Sequence, residues 1–376
     1  MKIGIVSPYD FTWPGGVTNH ISHLAHRFTA MGHQVKILTP HSPSRDMPTD
    51  GDFIPLGRSV PIPAGGSVAR VSLSVWLYGR IKDLLNKEAF DILHIHEPLA
   101  PFLPICVLQS SASVNVGTFH AYHGSHKVYR VSHPLLRLWY KNLDGRIAVS
   151  EAARQHVSKF FPGTYEIIPN GIDVGHFSKG VTPIEDLQDG KINILFVGRL
   201  EKRKGLRYLL EAFAQLRWEF PETRLIVVGP GNPDKDCYRV LSERSLKDVV
   251  FVGPVNYDTL ARYYRTADIF CSPATGKESF GIVLLEAMAS STPIVATDIE
   301  GYAALLEGGK YGRLVPPKDS SALADALTSL IKNPKLMQQM AFDARQIVEK
   351  YSWEVVSQRV LDYYRSLLEV NSGTSS

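Results

Sequence analysis

Two glutamates, Glu278 and Glu286, stand eight positions apart in the segment of this chain that is best suited to binding a ligand. The residues from Pro273 to Gly281 have the composition of a loop, and those from Ile282 to Met288 begin a helical pattern. One carboxylate is therefore expected in the loop and the other in the helix, with the anion-binding N–H groups of a helix N-terminus between them. This order suits a sugar, a diphosphate and a ribose, although an acidic first helical turn is a common stabilising feature in itself.

A cluster of four cationic residues forms a second candidate, in the segment from Val197 to Gly205 that follows a predicted strand. Arg199 and Lys204 belong to this cluster. The arginine fork and the compact lysine charge together suit a diphosphate. A solvated basic loop is the alternative. The diphosphate hypothesis is favoured if this loop and the Glu278 loop form one site.

Gly15 and Gly16 follow the first predicted strand and begin a helix. Paired glycines let the backbone come close to a phosphate at a helix N-terminus. Taken alone, the pair fits a tight strand-to-helix turn equally well, and that interpretation is favoured in isolation.

Histidines gather near the ends of two predicted strands, at His94, His96 and His120, with His123 and His126 further along. Such a group can bind a metal ion. These residues span two strand ends, however, and have neither a helical HExxH pattern nor a cysteine partner. We therefore predict hydrogen-bonding and structural roles for them and no metal site.

Short apolar runs that alternate with helical stretches must position these residues. Strands are predicted at 2–7, 34–38, 89–94, 114–118, 146–149, 165–168, 192–197, 225–228, 249–252, 269–272, 293–296 and 313–315, and helices at 16–31 and 206–220, among others. Such runs indicate buried parallel strands and an α/β fold with two Rossmann-like domains. Ligands of this architecture bind at the C-terminal ends of the strands. The turn-rich segment 169–173 is the predicted boundary.

The composition is that of a soluble globular protein, with 376 residues, 44% hydrophobic, 21% charged and a net charge of +4. The three cysteines are widely scattered, which fits a reducing compartment and excludes a disulfide framework. The N-terminal apolar run is too short for a signal peptide, and no run approaches the roughly 18 apolar residues of a membrane span. A cytoplasmic protein is therefore expected.

Taken together, these motifs resemble the retaining glycosyltransferases of the GT-B fold, of the family 4 type. The resemblance covers essentially the whole chain and is carried by Gly15-Gly16, His120, Pro169-Asn170-Gly171-Ile172-Asp173, Val197-Gly198-Arg199, Lys204-Gly205 and Glu278 with Glu286. It implies two Rossmann-like β/α/β domains that face each other across a central cleft. Residues 1–171 would bind the acceptor and residues 172–352 the nucleotide-sugar.

The resemblance further implies that residues 353–376 form a helix that crosses back to the first domain, with a frayed tail. The sequence offers Ser352 as a cap for this helix. The apolar spacing of a packed face is given by Val355, Val356, Val360, Leu361 and Tyr364.

Within that family the acceptor half is most similar to the bacterial phosphatidylinositol α-mannosyltransferases. The similarity is carried by Pro8-Tyr9, Pro61-Ile62-Pro63, Gly66-Ser67-Val68-Ala69-Arg70, His94-Ile95-His96-Glu97-Pro98 and Arg146-Ile147-Ala148-Val149-Ser150. It implies transfer of mannose from GDP-mannose to a phosphatidylinositol-like lipid in phosphatidylinositol mannoside-type synthesis. The enzyme would be a monomer without a nucleic acid partner, bound peripherally to the inner face of an anionic cell membrane.

The family's roles carry over to matching positions of this chain. The implied catalytic residues are His120, Arg199, Lys204 and Glu278. The implied donor-binding residues are Gly16, Arg199, Lys204, Val255, Glu278, Ser279, Phe280, Gly281, Ile282 and Glu286. The implied acceptor-binding residues are Tyr9, Ser67 and Arg70. The family implies a front-face attack in which the leaving phosphate takes the acceptor's proton, with no metal in the site and a divalent cation at most stimulatory.

Some positions depart from this pattern and leave alternatives open. Tyr257 stands where a guanine-reading acid is expected, so a UDP-sugar donor with another acceptor is the nearest alternative. A nucleotide-sugar 2-epimerase and a non-catalytic nucleotide-sugar binding protein are the others. Ala64-Gly65 replaces larger polar residues in the acceptor loop. The helix expected near 75–85 carries only Arg80 and Lys82 against Asp83, which fits membrane docking and an ordinary surface helix equally.

Overall fold

The computed structural model describes residues 1–373 apart from 14, 44–45, 50, 65–66, 73–75, 121–125 and 277. Within that range, the side chains of 63–64, 67–69 and 126–131 are also outside the description. The chain divides into two compact units. Unit 1 comprises Met1–Gly171 and Trp353–Ser376, and unit 2 comprises Ile172–Ser352.

Unit 1 is built on strands that alternate with helices along the chain. Its strands are β1 (Lys2–Val6), β2 (Gln34–His41), β3 (Phe53–Ala64), β4 (Ser67–Ser72), β5 (Ile92–His96), β6 (Val114–Phe119), β7 (Gly145–Ala148) and β8 (Glu166–Ile167). Its helices are α1 (Gly16–Ala30), α2 (Leu77–Glu88), α3 (Leu103–Ser110), α4 (His126–Tyr140), α5 (Glu151–Ser158) and α14 (Trp353–Gly373). The described strands form one sheet in the order β4-β3-β2-β1-β5-β6-β7-β8, parallel except for the antiparallel pair β3 and β4.

Unit 2 repeats the alternation. Its strands are β9 (Ile192–Val197), β10 (Thr223–Val228), β11 (Val249–Gly253), β12 (Ile269–Ser272), β13 (Ile294–Thr297) and β14 (Arg313–Val315). Its α-helices are α6 (Val174–Ser178), α7 (Leu206–Glu219), α8 (Lys235–Glu243), α9 (Tyr257–Thr266), α10 (Ile282–Ala289), α11 (Glu300–Leu305), α12 (Ser320–Lys332) and α13 (Pro334–Ile347). Single 3-10 turns lie at Glu185–Leu187, Lys202–Lys204, Glu307–Gly309 and Val348–Tyr351. The described strands are parallel in the order β11-β10-β9-β12-β13-β14.

The central strands of each sheet are buried on both faces, which is why they consist mostly of apolar residues, whereas β11 at the edge of the second sheet is partly exposed. In β1, Ile3 and Ile5 pack into one hydrophobic cluster and Val6 into the cluster on the opposite face. In β9, Phe196 and Leu195 divide between two clusters in the same way. Successive side chains of a strand point to opposite faces, so a short apolar run supplies both layers. The predicted α/β fold with two Rossmann-like parallel sheets is confirmed.

The hairpin of β3 and β4 was not predicted, because Pro61 and Pro63 cannot donate backbone hydrogen bonds and argue against a strand. Ser59 to Ala64 nevertheless pair antiparallel with Ser67 to Ser72 at the end of the sheet. The strand predicted at 89–94 begins later than expected. Ala89 takes the left-handed conformation (φ 46°) and ends α2.

The last helix, α14, packs against unit 1. Its residues Val356, Val360, Leu361 and Tyr364 join a cluster that also holds Phe28 of α1. Val355, predicted for the same face, is instead exposed, because it lies on the side of the helix turned away from this cluster. Among the described residues, no helix is both long and apolar enough to cross a membrane.

Candidate functional site

Two loops of unit 2 leave the sheet where the strand order reverses. Strand β9 lies between β10 and β12, and the loops after β9 and β12 carry residues 198–205 and 273–281. Ligands of parallel α/β sheets bind at such a switch point. The two loops that the sequence singled out therefore start from neighbouring strands.

The loop after β12 ends at Gly281, and α10 begins at Ile282, as the sequence predicted. Gly281 has a φ of +100°, and an added Cβ would lie 2.8 Å from the Tyr302 ring. A second glycine supports the same loop from α11, because a Cβ on Gly301 would lie 2.4 Å from the Glu278 carbonyl oxygen. The backbone that presents Glu278 is thus packed directly against α11.

Glu278 accepts hydrogen bonds from two cations of the loop after β9. Its Oε1 lies 2.7 Å from Lys204 Nζ and also pairs with the Arg203 guanidinium. The side chains of Lys204 and Glu278 are only 12% and 13% exposed. The Thr275 amide donates to the Arg203 carbonyl at 2.8 Å, which joins the loops through their backbones as well. The two loops are therefore in direct contact, which is the condition under which the sequence favours a diphosphate site.

Arg203 was not among the predicted site residues. Its Nε donates to Glu201 Oε2 at 2.8 Å, so its guanidinium bridges Glu201 and Glu278. The sequence shows it only as one cation of a run of four. Which of them faces the carboxylate depends on the 3-10 turn Lys202–Lys204, which has no distinct sequence pattern.

Arg199 lies in the same loop with about half of its side chain exposed. Its Nη1 is 3.8 Å from Glu201 Oε1, so Glu201 contacts both Arg199 and Arg203. Glu201 is therefore hydrogen-bonded to the Arg203 guanidinium and lies at ion-pair distance from that of Arg199.

Glu286 is buried in α10 and accepts a hydrogen bond from the Tyr264 hydroxyl at 2.7 Å. Burial raises the pKa of Glu286 to about 7, while the Tyr264 hydrogen bond and the Lys204 charge oppose this rise. The carboxyl therefore changes its protonation near neutral pH, and with it the ability to accept two hydroxyl hydrogen bonds.

The other predicted donor-binding residues of unit 2 differ in what they can offer. Phe280 is buried against Tyr351, with ring centroids 5.9 Å apart, so its backbone and not its ring is available to a ligand. Ser279 and Ile282 are half-buried next to it, at the start of α10. Val255 is half-buried and packs on the core ahead of α9.

Tyr257 begins α9 and stacks on His176, with ring centroids 4.1 Å apart and planes 14° apart. The His176 Nε2 lies 3.2 Å from the Tyr257 carbonyl oxygen. Burial raises the pKa of Tyr257, as do the charges of Glu286 and Asp173. An aromatic pair thus occupies the position where the resemblance implies a base-reading acid.

In unit 1, α1 begins at Gly16 after Gly15 in an extended conformation. Gly16 is exposed, and no described atom lies within 4 Å of where its Cβ would be. The described residues therefore leave space beside the first residue of this helix, where the N-terminal N–H groups have no partner within the helix.

His120 follows β6 and is held at two points. Its backbone N–H donates to Glu97 Oε1 at 2.8 Å, and its Nε2 lies 2.8 Å from Nδ1 of His96. Burial lowers the pKa of His120 to about 4, against an opposing hydrogen bond with Asn170. The imidazole is therefore neutral at physiological pH.

His20 of α1 forms a cluster with these two residues, since ring nitrogens of His20, His96 and His120 lie within 4.8 Å of one another; His20 and His96 are buried and His120 is half-buried. The sequence argument against a metal kept the histidines apart on separate elements, and it did not single out His20. Three neutral imidazoles are ligands that transition metals accept. Nδ1 of His96 and Nε2 of His120 already share a hydrogen bond, which competes with coordination by these two atoms.

The remaining histidines of the sequence argument have other surroundings. His94 has a structural role, with Nε2 bonded to the Thr118 hydroxyl at 2.6 Å and Nδ1 to the Tyr364 hydroxyl at 2.5 Å. His123 lies outside the described residues, as does the side chain of His126.

The predicted acceptor residues lie near β1 and β4. The Tyr9 carbonyl accepts from the Ser7 and Thr39 hydroxyls, which fixes the loop after β1. The Arg70 guanidinium lies 3.8 Å from the centre of the Trp13 ring. Ser67 begins β4, and its side chain lies outside the described part of the chain.

Comparisons with known proteins give consistent results. The family model of glycosyl transferases group 1 matches residues 182–347, and that of Glycosyltransferase Family 4 matches residues 14–176. A phosphatidyl-myo-inositol mannosyltransferase of Mycobacterium leprae is 37% identical, over 98% of this chain and 97% of the relative. The protein of the same name from Propionibacterium freudenreichii is 30% identical, over 97% and 94%.

Solved structures agree at the level of the fold. Sucrose-phosphate synthase from Thermosynechococcus elongatus is similar with a TM-score of 0.77 and 21% identity, covering 98% of this chain and 99% of that one. HepE of Anabaena in complex with UDP is similar with a TM-score of 0.78 and 18% identity, covering 97% and 100%.

Proposed function

The chain belongs to the GT-B glycosyltransferases of group 1 and family 4 and is a hexosyltransferase, and from this premise we propose its reaction. It is a retaining α-mannosyltransferase that moves mannose from GDP-mannose to a phosphatidylinositol-like lipid. The relatives that support this choice carry the name phosphatidyl-myo-inositol mannosyltransferase at 37% and 30% identity.

One observation carries the donor site: Glu278 is paired with Lys204 and Arg203 directly ahead of the N-terminus of α10. A carboxylate, two cations and the N-terminal N–H groups of α10 then lie within one small region. In the proposal Lys204 and Arg199 bind the diphosphate, together with the amides of residues 279–282 and of Gly16. Glu278 accepts hydrogen bonds from the sugar hydroxyls.

The proposal also assigns residues to the ribose, the base and the sugar of the donor. Glu286 accepts the ribose hydroxyls, for which its deprotonated form is suited. Val255 contacts the base. His120 donates a hydrogen bond to the sugar from unit 1.

The proposed reaction is a front-face substitution. The bond between the anomeric carbon and the phosphate oxygen breaks, and a bond to the acceptor oxygen forms on the same face. The proton of the acceptor hydroxyl passes to the leaving phosphate. Arg199 and Lys204 stabilise the negative charge that develops on that phosphate, which is the step at which preorganised cations lower the barrier most.

The acceptor is proposed to reach unit 1 from a membrane surface. Arg70 would bind the lipid phosphate, and Tyr9 and Ser67 the polar headgroup. Next to β4, Trp76 is 92% exposed and Tyr78 43% exposed at the start of α2, which also carries the exposed Arg80 and Lys82. Exposed aromatic residues beside cations are typical of helices that bind an anionic bilayer surface.

The test is incubation of the chain with phosphatidylinositol vesicles and a panel of labelled GDP- and UDP-sugars. We expect a mannosylated lipid from GDP-mannose, with an α linkage in its NMR spectrum. Transfer from a UDP-sugar alone would reject the proposed donor, and the Tyr257 and His176 stack is the feature that favours this alternative. An epimerised sugar in a reaction without acceptor would identify an epimerase, and donor binding without turnover a binding protein.

A further inference from the structure

His96, which is buried, and His120, which is half-buried, form a pair in which two neutral rings meet through one hydrogen bond. His96 is the last residue of β5 and is completely buried, and His120 follows the neighbouring β6. Their rings are nearly parallel, with planes 22° apart, and Nδ1 of His96 lies 2.8 Å from Nε2 of His120. Burial lowers the pKa of both residues, so each ring carries one proton at neutral pH.

A hydrogen bond between two neutral imidazoles contains one proton, and either ring can supply it. The Nε2 of His96 decides between the two arrangements, because it is buried and has no hydrogen-bond partner among the described residues. If His96 carried its proton on Nε2, a buried N–H donor would have no acceptor. Buried N–H groups without a partner are rarer than acceptors without one. The proton of His96 therefore lies on Nδ1 and is donated to Nε2 of His120.

This arrangement fixes the other ring. His120 accepts through Nε2, so its own proton lies on Nδ1. We propose that His96 is a positioning residue that keeps His120 in the Nδ1–H tautomer, in which it donates a hydrogen bond to a hydroxyl oxygen of the donor sugar. The inference rests on the proposed function in one respect, which is the assignment of His120 to the sugar.

The backbone and the ring of His120 are contacted by different residues, which supports a role for His96 beyond packing. Glu97 holds the backbone of His120, and it adopts a left-handed φ of 46° at that point. His96 contacts the ring through Nε2, and Asn170 also hydrogen-bonds with the His120 side chain. His94 lies on the same strand and is as buried as His96, but its two ring nitrogens bond to Thr118 and Tyr364. Substitution of His94 therefore tests the effect of losing a buried histidine on this strand without losing the hydrogen bond to His120.

The first test reads the tautomer directly and needs no activity. Long-range proton–nitrogen NMR spectra of the chain, labelled with ring-¹⁵N histidine and recorded with EDTA, distinguish the two tautomers, and His120→Gln identifies the His120 signals by their loss. We expect a protonated Nδ1 on His120 in the unsubstituted chain and in His94→Asn. We expect the Nε2–H form, or a mixture, in His96→Leu. A protonated Nε2 in the unsubstituted chain, or an unchanged tautomer in His96→Leu, would overturn the proposal.

The second test uses turnover with GDP-mannose. His96→Leu should lower kcat by roughly tenfold or more with little change in the KM of the donor, the size of effect expected for one misdirected hydrogen bond in the transition state. His96→Asn should recover part of this loss, because its amide N–H can occupy the place of Nδ1–H. His94→Asn should keep a kcat within about twofold. Equal loss in His94→Asn and His96→Asn, or no loss in His96→Asn and His96→Leu, contradicts the role.

The two tests still decide the question if the His96→Leu variant does not fold or if the chain does not transfer mannose. If His96→Leu does not fold, the tautomer of the unsubstituted chain and the behaviour of His96→Asn decide the question. If the unsubstituted chain transfers no mannose, the proposed function fails, while the NMR result still confirms or overturns the tautomer that His96 imposes.

Discussion

Lys204 Nζ lies 2.7 Å from Glu278 Oε1, so the lysine proposed for the diphosphate is paired with the carboxylate proposed for the sugar. Both side chains are largely buried. Removing one partner would leave the other buried with less compensation, which costs more than the loss of a surface ion pair. The pair therefore behaves as one unit within the proposed donor site.

We expect Lys204→Ala and Glu278→Gln each to lower kcat by roughly 10²–10³-fold, since each removes a group that stabilises the transition state. The double variant should lose less than the product of the two, because the partners interact. Steady-state kinetics of the single and double variants measure this coupling. Lys202→Ala is the control, because Lys202 is 78% exposed and contacts Asp236 at 3.8 Å. Multiplicative losses would show that the two residues act independently.

The raised pKa of Glu286 predicts a pH dependence of stability. Its folded pKa is about 7, against 4.5 for an unperturbed glutamate, so between these values the folded state binds more protons than the unfolded state. Stability therefore falls as pH rises through this window, by on the order of 3 kcal/mol at full ionisation. Urea denaturation at several pH values measures this, and Glu286→Gln should remove most of the slope. Parallel slopes for both proteins would contradict the assignment.

The same group predicts a pH dependence of donor binding with the opposite sign. Ionised Glu286 accepts ribose hydroxyls better than the protonated acid does, so donor affinity should increase as pH rises through about 7. Calorimetric titration with GDP-mannose across this range measures the effect. An affinity that does not depend on pH would separate Glu286 from the ribose.

Gly301→Ala should displace the backbone of the loop that carries Glu278, because Gly301 packs against it. Its new Cβ would lie 2.4 Å from the Glu278 carbonyl oxygen, which is part of the backbone and must shift. We expect a weaker donor affinity together with a loss of stability, of about 1–3 kcal/mol as for an overpacked site. Gly79→Ala is the matched control in α2, because its Cβ would meet no described atom within 4 Å. Unchanged donor affinity in Gly301→Ala would show that the loop can shift without affecting donor binding.

Trp76→Ala combined with Tyr78→Ala should weaken binding to anionic vesicles, because it removes the exposed aromatic surface at the start of α2. Co-sedimentation with vesicles that contain phosphatidylinositol measures the effect. The control is Trp218→Ala, which removes a 91% exposed tryptophan of unit 2. Equal vesicle binding by both variants would assign the membrane contact to another surface.

Chelation tests the prediction that no metal is needed. EDTA should leave the transfer rate unchanged if the leaving phosphate is stabilised by Arg199 and Lys204 alone. A rate that falls on chelation and returns with a transition metal would point instead to the ring nitrogens of His20, His96 and His120.

Much of the fold follows from local pattern. The strands at 192–197, 269–272 and 313–315 coincide with β9, β12 and β14. Strands β9 and β12 are mostly apolar because they are largely buried, whereas β14 begins at the exposed Arg313. The β3–β4 hairpin does not follow, since its pairing depends on position in the sheet and overrides the prolines. The boundary of β5 was misplaced because the left-handed end of α2 at Ala89 has no glycine to indicate it.

Part of the candidate site could likewise be predicted from local sequence, and part could not. The loop and helix around Glu278 and Glu286 could be predicted, since composition alone distinguishes them. The bridge from Arg203 to Glu278 could not, because it joins residues 75 positions apart. The placement of His20 beside His96 and His120 is likewise a contact between separate elements, and a lone histidine in a helix gives no indication of it.

Because α14 packs into the core of unit 1, this unit combines residues that lie before and after unit 2 in the chain. Tyr364 of this helix bonds to His94, which lies 270 positions earlier in the chain. Unit 2 is continuous from Ile172 to Ser352 and has all of its residues available before the last helix leaves the ribosome. During translation, the apolar surface around Phe28 therefore stays uncovered by α14 until unit 2 has been synthesised, so the core of unit 1 is completed after unit 2.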